Sequence, residues 1–248
     1  MRRRASPLEM WYRRQLWKIS RQILQIVREF RDETNPAKIA DLVQSRLFTY
    51  ADSITQWAEK VSGIFLRKAE KADYEDWKKL SEKLGKETRK ILKEHGKGET
   101  FRALQSEQII LIKSLPQDAA KKVHEWAVEG MHKGERYDSI AQRIFDEIGI
   151  VSRNHATLIA RTETSRAKAN FQQARAMALG STEYQWVTMD DYRVRPLHAR
   201  LDGRIFRWDS PPATDIGRGG QWIHSSPGCV FNCRCVARPL LPEGRLQE

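Results

Sequence analysis

Residues 184–206 read YQWVTMDDYRVRPLHARLDGRIF, and residues 227–235 read PGCVFNCRC. In the first stretch Tyr184, Trp186 and Thr188 alternate with Gln185 and Val187, the period of two that sends successive side chains to opposite faces of a strand. Asp190-Asp191 turns the chain, and Arg193-Val194-Arg195 resumes an extended run up to Pro196 and His198. Asp202-Gly203 is a hairpin-turn dipeptide, after which residues 204–208 return as a strand. Pro211-Pro212 and residues 217–220 read as loop, Pro227-Gly228 introduces the cysteines, and the residues after Pro239 read as a frayed tail.

Upstream the period is helical. Across residues 9–31, Leu16, Ile19, Ile23, Ile26, Val27 and Phe30 recur at steps of three and four, an apolar stripe opposite a basic face. Asn35-Pro36 has the form of an N-cap followed by proline at the first helical position, opening a helix to about Ala69. A third helix is expected over residues 73–94, burying Trp77, Leu80, Leu84, Ile91 and Leu92 and ended by Gly96-Lys97-Gly98. Residues 101–115 and 116–131 read as a pair split at Pro116. Gly134 breaks the pattern, and residues 138–148 form a short helix ending at Gly149.

Ser152 then caps an alanine-rich helix in which Ile159, Glu163, Arg166 and Asn170 share one face. If the strands pack on that face, Glu163 and Asn170 become buried polar groups that need partners. The expected fold class is α+β. A long, mostly α-helical N-terminal region (residues 1–150) precedes a small C-terminal α+β domain (151–240), a helix packed on a short antiparallel sheet, and a tail (241–248).

With 31% charged and 40% apolar residues, the 248-residue chain has the composition of a folded protein. A formal charge of +12 and a pI near 9.8 point to a polyanionic partner, nucleic acid before an anionic membrane. The charge is uneven: residues 1–115 hold 25 Lys/Arg against 16 Asp/Glu. Arg13, Arg14, Lys18 and Arg21, interleaved with Trp11, Tyr12 and Trp17, are the candidate nucleic-acid contacts; a solubilising face on an ordinary core helix has the same composition. No apolar run follows Met1-Arg2-Arg3-Arg4, so neither a secretory signal nor a membrane span is expected.

Cys229, Cys233 and Cys235 are too few and too clustered for a disulfide framework, which favours a reducing compartment. With His198 or His224 they have the donor types of a tetrahedral zinc site, although not the paired CxxC spacing of a zinc ribbon. Small cysteines filling a tight turn near Trp222 and Phe231 are the plainer alternative. Glu163, Asp190, Asp191 and His198 are the residue types of a general acid/base or metal-dependent hydrolytic site. Nothing in their spacing selects them, and no phosphate-binding loop, HExxH or GxSxG element occurs. A salt-bridged network holding a small domain together accounts for the same residues.

Taken in order, ARTETSRAKAN, WVTMDDYRVRPLHARLDG and PGCVFNCRC resemble the phage Mu F-like family of head morphogenesis proteins, also called minor capsid or minor head proteins. Arg161, Thr162, Glu163 and Asn170 match the family's helix. Trp186, Thr188, Asp190 or Asp191, Arg193, Arg195, His198, Leu201 and Gly203 match its central motif, and Cys233, Arg234 and Cys235 its terminal motif; Cys229 belongs to that pattern less regularly. The resemblance implies a minor head protein of a tailed phage or prophage with no established enzymatic activity; no cofactor is expected, zinc at the cysteines being the alternative. It implies a place in the virion at the portal or capsid interior, in the host cytoplasm during assembly. Its partners would be portal protein, major capsid or scaffold protein and packaged DNA, with no membrane. The alternatives are a metal-dependent enzyme acting on nucleic acid, or a phage-derived trafficking domain carrying a helical effector.

Overall fold

Helix α1 (Pro7–Arg28) starts where Ser6 accepts a hydrogen bond from the Glu9 amide and Pro7 takes the first turn, where its missing N–H is not needed. The computed structural model describes residues 5–81, 90–91, 98–217 and 219–242. Tyr12, Leu16, Ile19, Ile23, Ile26 and Val27 form the buried face of α1 as expected, while Phe30 lies past its end, half-buried.

The chain then forms α2 (Pro36–Ser53), α3 (Thr55–Ser81), α4 (Glu99–His132) and α5 (Tyr137–Ala178). Asn35 caps α2 by accepting from the Ala37 and Lys38 amides. Contrary to the expected span to Ala69, the helix breaks at Ile54, where the Ser53 and Thr55 hydroxyls donate to the Tyr50 and Asp52 carbonyls. No break occurs at residues 70–72. That stretch holds neither glycine nor proline, and its one acidic residue, Glu70, pairs with Arg175. The expected helix end near Gly96 lies outside the described residues.

Three further residues expected at helix boundaries lie inside helices. Pro116 lies inside α4, where it removes one backbone hydrogen bond, at a cost of about 3 kcal/mol in an isolated helix. Buried Ile112, Leu115, Ala119, Ala120 and Val123 on either side of it carry the helix through. Gly149 lies inside α5: a Cβ there would meet the Leu24 side chain at 3.1 Å, so the glycine serves close packing against α1 and ends nothing. Ser152 is likewise interior and buried, and its carbonyl accepts from the Ser20 hydroxyl at 3.1 Å. The expected break at Gly134 is real, with φ +69°.

The chain divides into two compact units, residues 1–65 with 105–160 and residues 66–104 with 161–248. The first is helical. In its core Tyr12 stacks on Phe65 at 4.0 Å and donates to Gln108 at 2.8 Å.

The second unit contains the sheet. Strands β1 (Glu183–Val187), β2 (Ile205–Arg207) and β5 (Val236–Leu240) form an antiparallel sheet in the order β2-β1-β5, and β3 (Ala213–Ile216) pairs with β4 (Trp222–His224). The α+β class holds. However, residues 193–195 are not a strand: they lead into the short helix α6 (Pro196–Ala199), which Pro196 opens. The stretch read as loop contains β3 and β4, and the start of the expected tail is the end of β5.

Tyr184 and Trp186 on β1 are fully buried and pack with Trp77, Leu179, Leu201, Trp208 and Ala237. Burying an aromatic of this size stabilises by about 3 kcal/mol. Arg175 of α5 is also completely buried, paired with Asp73 and Glu70 of α3 and lying 5.6 Å from the Tyr74 ring. Burial pushes the Asp73 carboxyl up to about 6, and Arg175 only partly opposes this.

Replacing Arg175 with Met strands two carboxylates, and we expect a loss of about 3–5 kcal/mol in urea denaturation. The pH dependence follows from Asp73. Its folded pKa lies above the ordinary 3.8, so its protonation favours the fold; that contribution is full below 3.8 and fades as pH rises through about 6. Relative to Asp73→Asn, the wild-type chain should lose stability between pH 4 and pH 6, measured from denaturation curves across that range.

Candidate functional site

The conspicuous cluster in the second unit is built by α6, the turn before β5 and the β3–β4 hairpin. Pro196 starts α6, and Trp186 packs edge-on against the His198 ring at 5.4 Å, so the imidazole is buried and oriented. Asn232, at φ +55°, turns the chain so that Cys233 and Cys235 both enter the core. The His198 Nδ1 lies 3.6 Å from the Cys233 sulfur and 3.5 Å from the Cys235 sulfur. On its other side, Nε2 lies 3.6 Å from Asp215 Oδ2, which Arg195 holds at 3.1 Å. A cavity of about 110 Å³ opens beside the cluster, lined also by Met189, Arg193 and Val194.

The electrostatics follow from these contacts. A hydrogen bond from Cys235 lowers the Cys233 pKa against the effect of burial, with His198 and the Gly228 amide adding to it; the Cys235 thiol is raised by the same partner. Burial pulls the His198 imidazole down, but Cys233 and Asp215 together outweigh it and raise its pKa above 6.5.

Cys229 stands apart from this group. Its sulfur contacts Asn170 at 3.9 Å, and burial pushes its thiol up to about 11. The expected set of three cysteines with a histidine is therefore corrected to His198, Cys233 and Cys235. His224 is also elsewhere, its Nδ1 3.0 Å from the Pro211 carbonyl oxygen.

The remaining motif residues form a clasp around the cluster. Arg234 grips the Asp191 carboxylate with both guanidinium nitrogens, and Arg193 adds a contact at 3.3 Å; the Arg234 hydrogen bonds hold the Asp191 pKa well below the carboxylate range. Gly203, at φ +73°, donates its amide to the Trp186 carbonyl at 2.8 Å. Arg161 donates to Asn232 at 3.4 Å, and Asn170 donates to the Arg166 carbonyl at 2.8 Å. Glu163 is buried, its carboxylate 3.9 Å from Arg166. The helix face carrying Glu163 and Asn170 is met by the segment around Gly228, where a Cβ would lie 3.3 Å from that of Ala169.

Glu163, Asp190, Asp191 and His198 thus enter separate sets of contacts. Asp190 is an exposed turn residue at φ +46°. Sequence reading missed Asp215, Arg175, Asp73 and Glu70. For Asp215, the β-branched Thr214 and Ile216 between Pro-Pro and glycine were the available strand signal; for the others no local signal exists.

In the first unit, Arg13 stacks over Trp17 at 5.0 Å, while Arg14, Lys18 and Arg21 are exposed and line a cleft of about 770 Å³ with Arg28 and Arg153.

Residues 121–238 match the family model described as Phage Mu protein F like protein. Over this segment the chain is similar to the phage Mu F-like family, the resemblance that its motif order carries. The Mu F-like match contains the whole clasp and the His198 cluster. A Haemophilus influenzae protein (strain Rd), described as uncharacterized, is 37% identical over 144 residues, which span 58% of this chain and 30% of that protein. The chain thus aligns with less than a third of that relative's length. No solved structure matches the chain. Among the described residues, no helix is long and apolar enough to cross a membrane.

The Asp191–Arg234 pair gives a direct test of the clasp. Because the folded-state pKa of Asp191 is depressed, its contribution is present above the ordinary 3.8 and is lost as pH falls through the folded value. Asp191→Asn and Arg234→Lys should both lower the urea midpoint at neutral pH. The Asp191→Asn deficit should shrink in strong acid, and Lys should not restore the two-pronged contact.

Proposed function

We propose that this protein is a minor head protein of a tailed phage or prophage. In this reading the Mu F-like segment docks on the portal or the inner shell, and the basic helices contact packaged DNA without reading its sequence. The observation that carries the reading is the family match over residues 121–238, which takes in the fully built Asp191–Arg234 clasp. DNA contact is supported by the exposed stripe of Arg14, Lys18, Arg21 and Arg28, spaced to share one face of α1.

A non-catalytic role is part of the proposal. Its support is that the four candidate acid/base residues are engaged in separate contacts: Asp191 with arginines, His198 with sulfurs, Glu163 beside Arg166, and Asp190 in an exposed turn.

Co-expression with the portal protein of the same phage should yield a complex that survives gel filtration, and Arg234→Ala should weaken it. A chain that ignores portal, capsid and scaffold proteins alike would sink the docking claim. DNA affinity should fall steeply with salt, and the Arg14→Ala, Lys18→Ala, Arg21→Ala triple variant should flatten the log–log slope by about 3. An unchanged slope would remove these residues from the interface. Incubation with plasmid DNA and Mg2+ should give no cleavage, and cleavage lost in Glu163→Gln would favour the nuclease reading instead.

A further inference from the structure

We propose that His198, Cys233 and Cys235 bind a Zn2+ ion, through His198 Nδ1 and the two cysteine sulfurs, and that this ion ties α6 to the turn before β5. The donor atoms all lie within 4.8 Å of one another and all three residues are buried. Zinc takes sulfur at about 2.3 Å and imidazole nitrogen at about 2.0–2.1 Å, so tetrahedral angles require a nitrogen–sulfur separation of about 3.6 Å. The observed separations are 3.6 and 3.5 Å.

Hydrogen bonding alone fits this arrangement less well. A ring nitrogen has one lone pair or one proton and serves one sulfur at a time, so with both sulfurs facing Nδ1 the second is left to the Cys235–Cys233 hydrogen bond. A cation between the three donors serves all of them. Two thiolates and a neutral imidazole also balance its charge, which suits a buried position. Soft sulfur donors with one imidazole select zinc over magnesium or calcium.

The surroundings are those of a prepared site. Asp215 Oδ2, anchored by Arg195, lies 3.6 Å from His198 Nε2, beyond hydrogen-bond length but close enough for its charge to favour a proton on Nε2 and leave Nδ1 as ligand. The Gly228 amide points at the Cys233 sulfur at 3.4 Å. The fourth position faces the cavity of about 110 Å³, which has room for a water molecule. Cys229 is excluded, its sulfur being directed to Asn170.

The test uses the full-length chain, produced with zinc in the medium and purified without chelators. Elemental analysis should find one zinc per chain, retained in Cys229→Ser and lost in Cys233→Ser and in His198→Ala. Replacement by Co2+ should give the sulfur-to-metal absorption of thiolate ligation in the wild type and in Cys229→Ser. Because the ligand variants can fail to fold, thiol labelling of the native wild-type chain provides a second readout. A chelator should raise the labelling rate of Cys233 and Cys235 and leave that of Cys229 unchanged. A wild-type chain that carries no zinc and shows no thiolate absorption with Co2+ would overturn the proposal. Loss of the metal from a folded Cys229→Ser chain would overturn the ligand set.

Discussion

A guanidinium with no solvent exposure needs partners for its charge and its five donors, and Arg175 meets that requirement only because Asp73 and Glu70 come from a helix about a hundred residues earlier in the chain. This constraint sets the alignment of α3 and α5 in the second unit: a register shift on either helix would leave buried charge unpaired. The same pairing explains why residues 66–104 group with residues 161–248. The three-stranded sheet, with a five-residue central strand, buries its apolar face against helices. Trp77 of α3 and Ala176 and Leu179 near the end of α5 cover Tyr184 and Trp186.

Around that core the polar residues divide their work by position. The Asp191–Arg234 pair closes the segment after β1 onto the turn before β5, joining residues 43 apart. Inside this clasp, His198, Cys233 and Cys235 meet in a setting oriented by Trp186 on one side and Asp215 on the other. Asp202 accepts from the Thr188 amide and Gly203 donates to the Trp186 carbonyl, so the Asp-Gly turn secures the end of β1 without forming the tip of a simple hairpin.

Much of this was legible in local chemistry. The Ser6 and Asn35 caps, the stripe of Leu16, Ile19, Ile23 and Ile26, and the alternation of Tyr184 and Trp186 all follow from propensities acting over a few residues. At Pro116, Gly149 and Ser152 local rules call for a helix boundary, and tertiary packing overrides them. Gly149 is needed for the approach of Leu24, and Pro116 is carried by the apolar residues beside it.

The sequence by itself determined that a basic helical chain precedes a short-stranded segment, and its motif order marked the Mu F-like relationship, because both are written in neighbouring residues. Only the tertiary structure decided that Cys229 stands apart from Cys233 and Cys235, that Asp215 belongs with His198, and that Arg175 is buried between two acids. Spacing along the chain does not encode which side chains a turn at positive φ or a helix crossing will bring together. Those pairings depend on long-range packing, and with it the choice between a turn of small buried cysteines and a site with three converging donors.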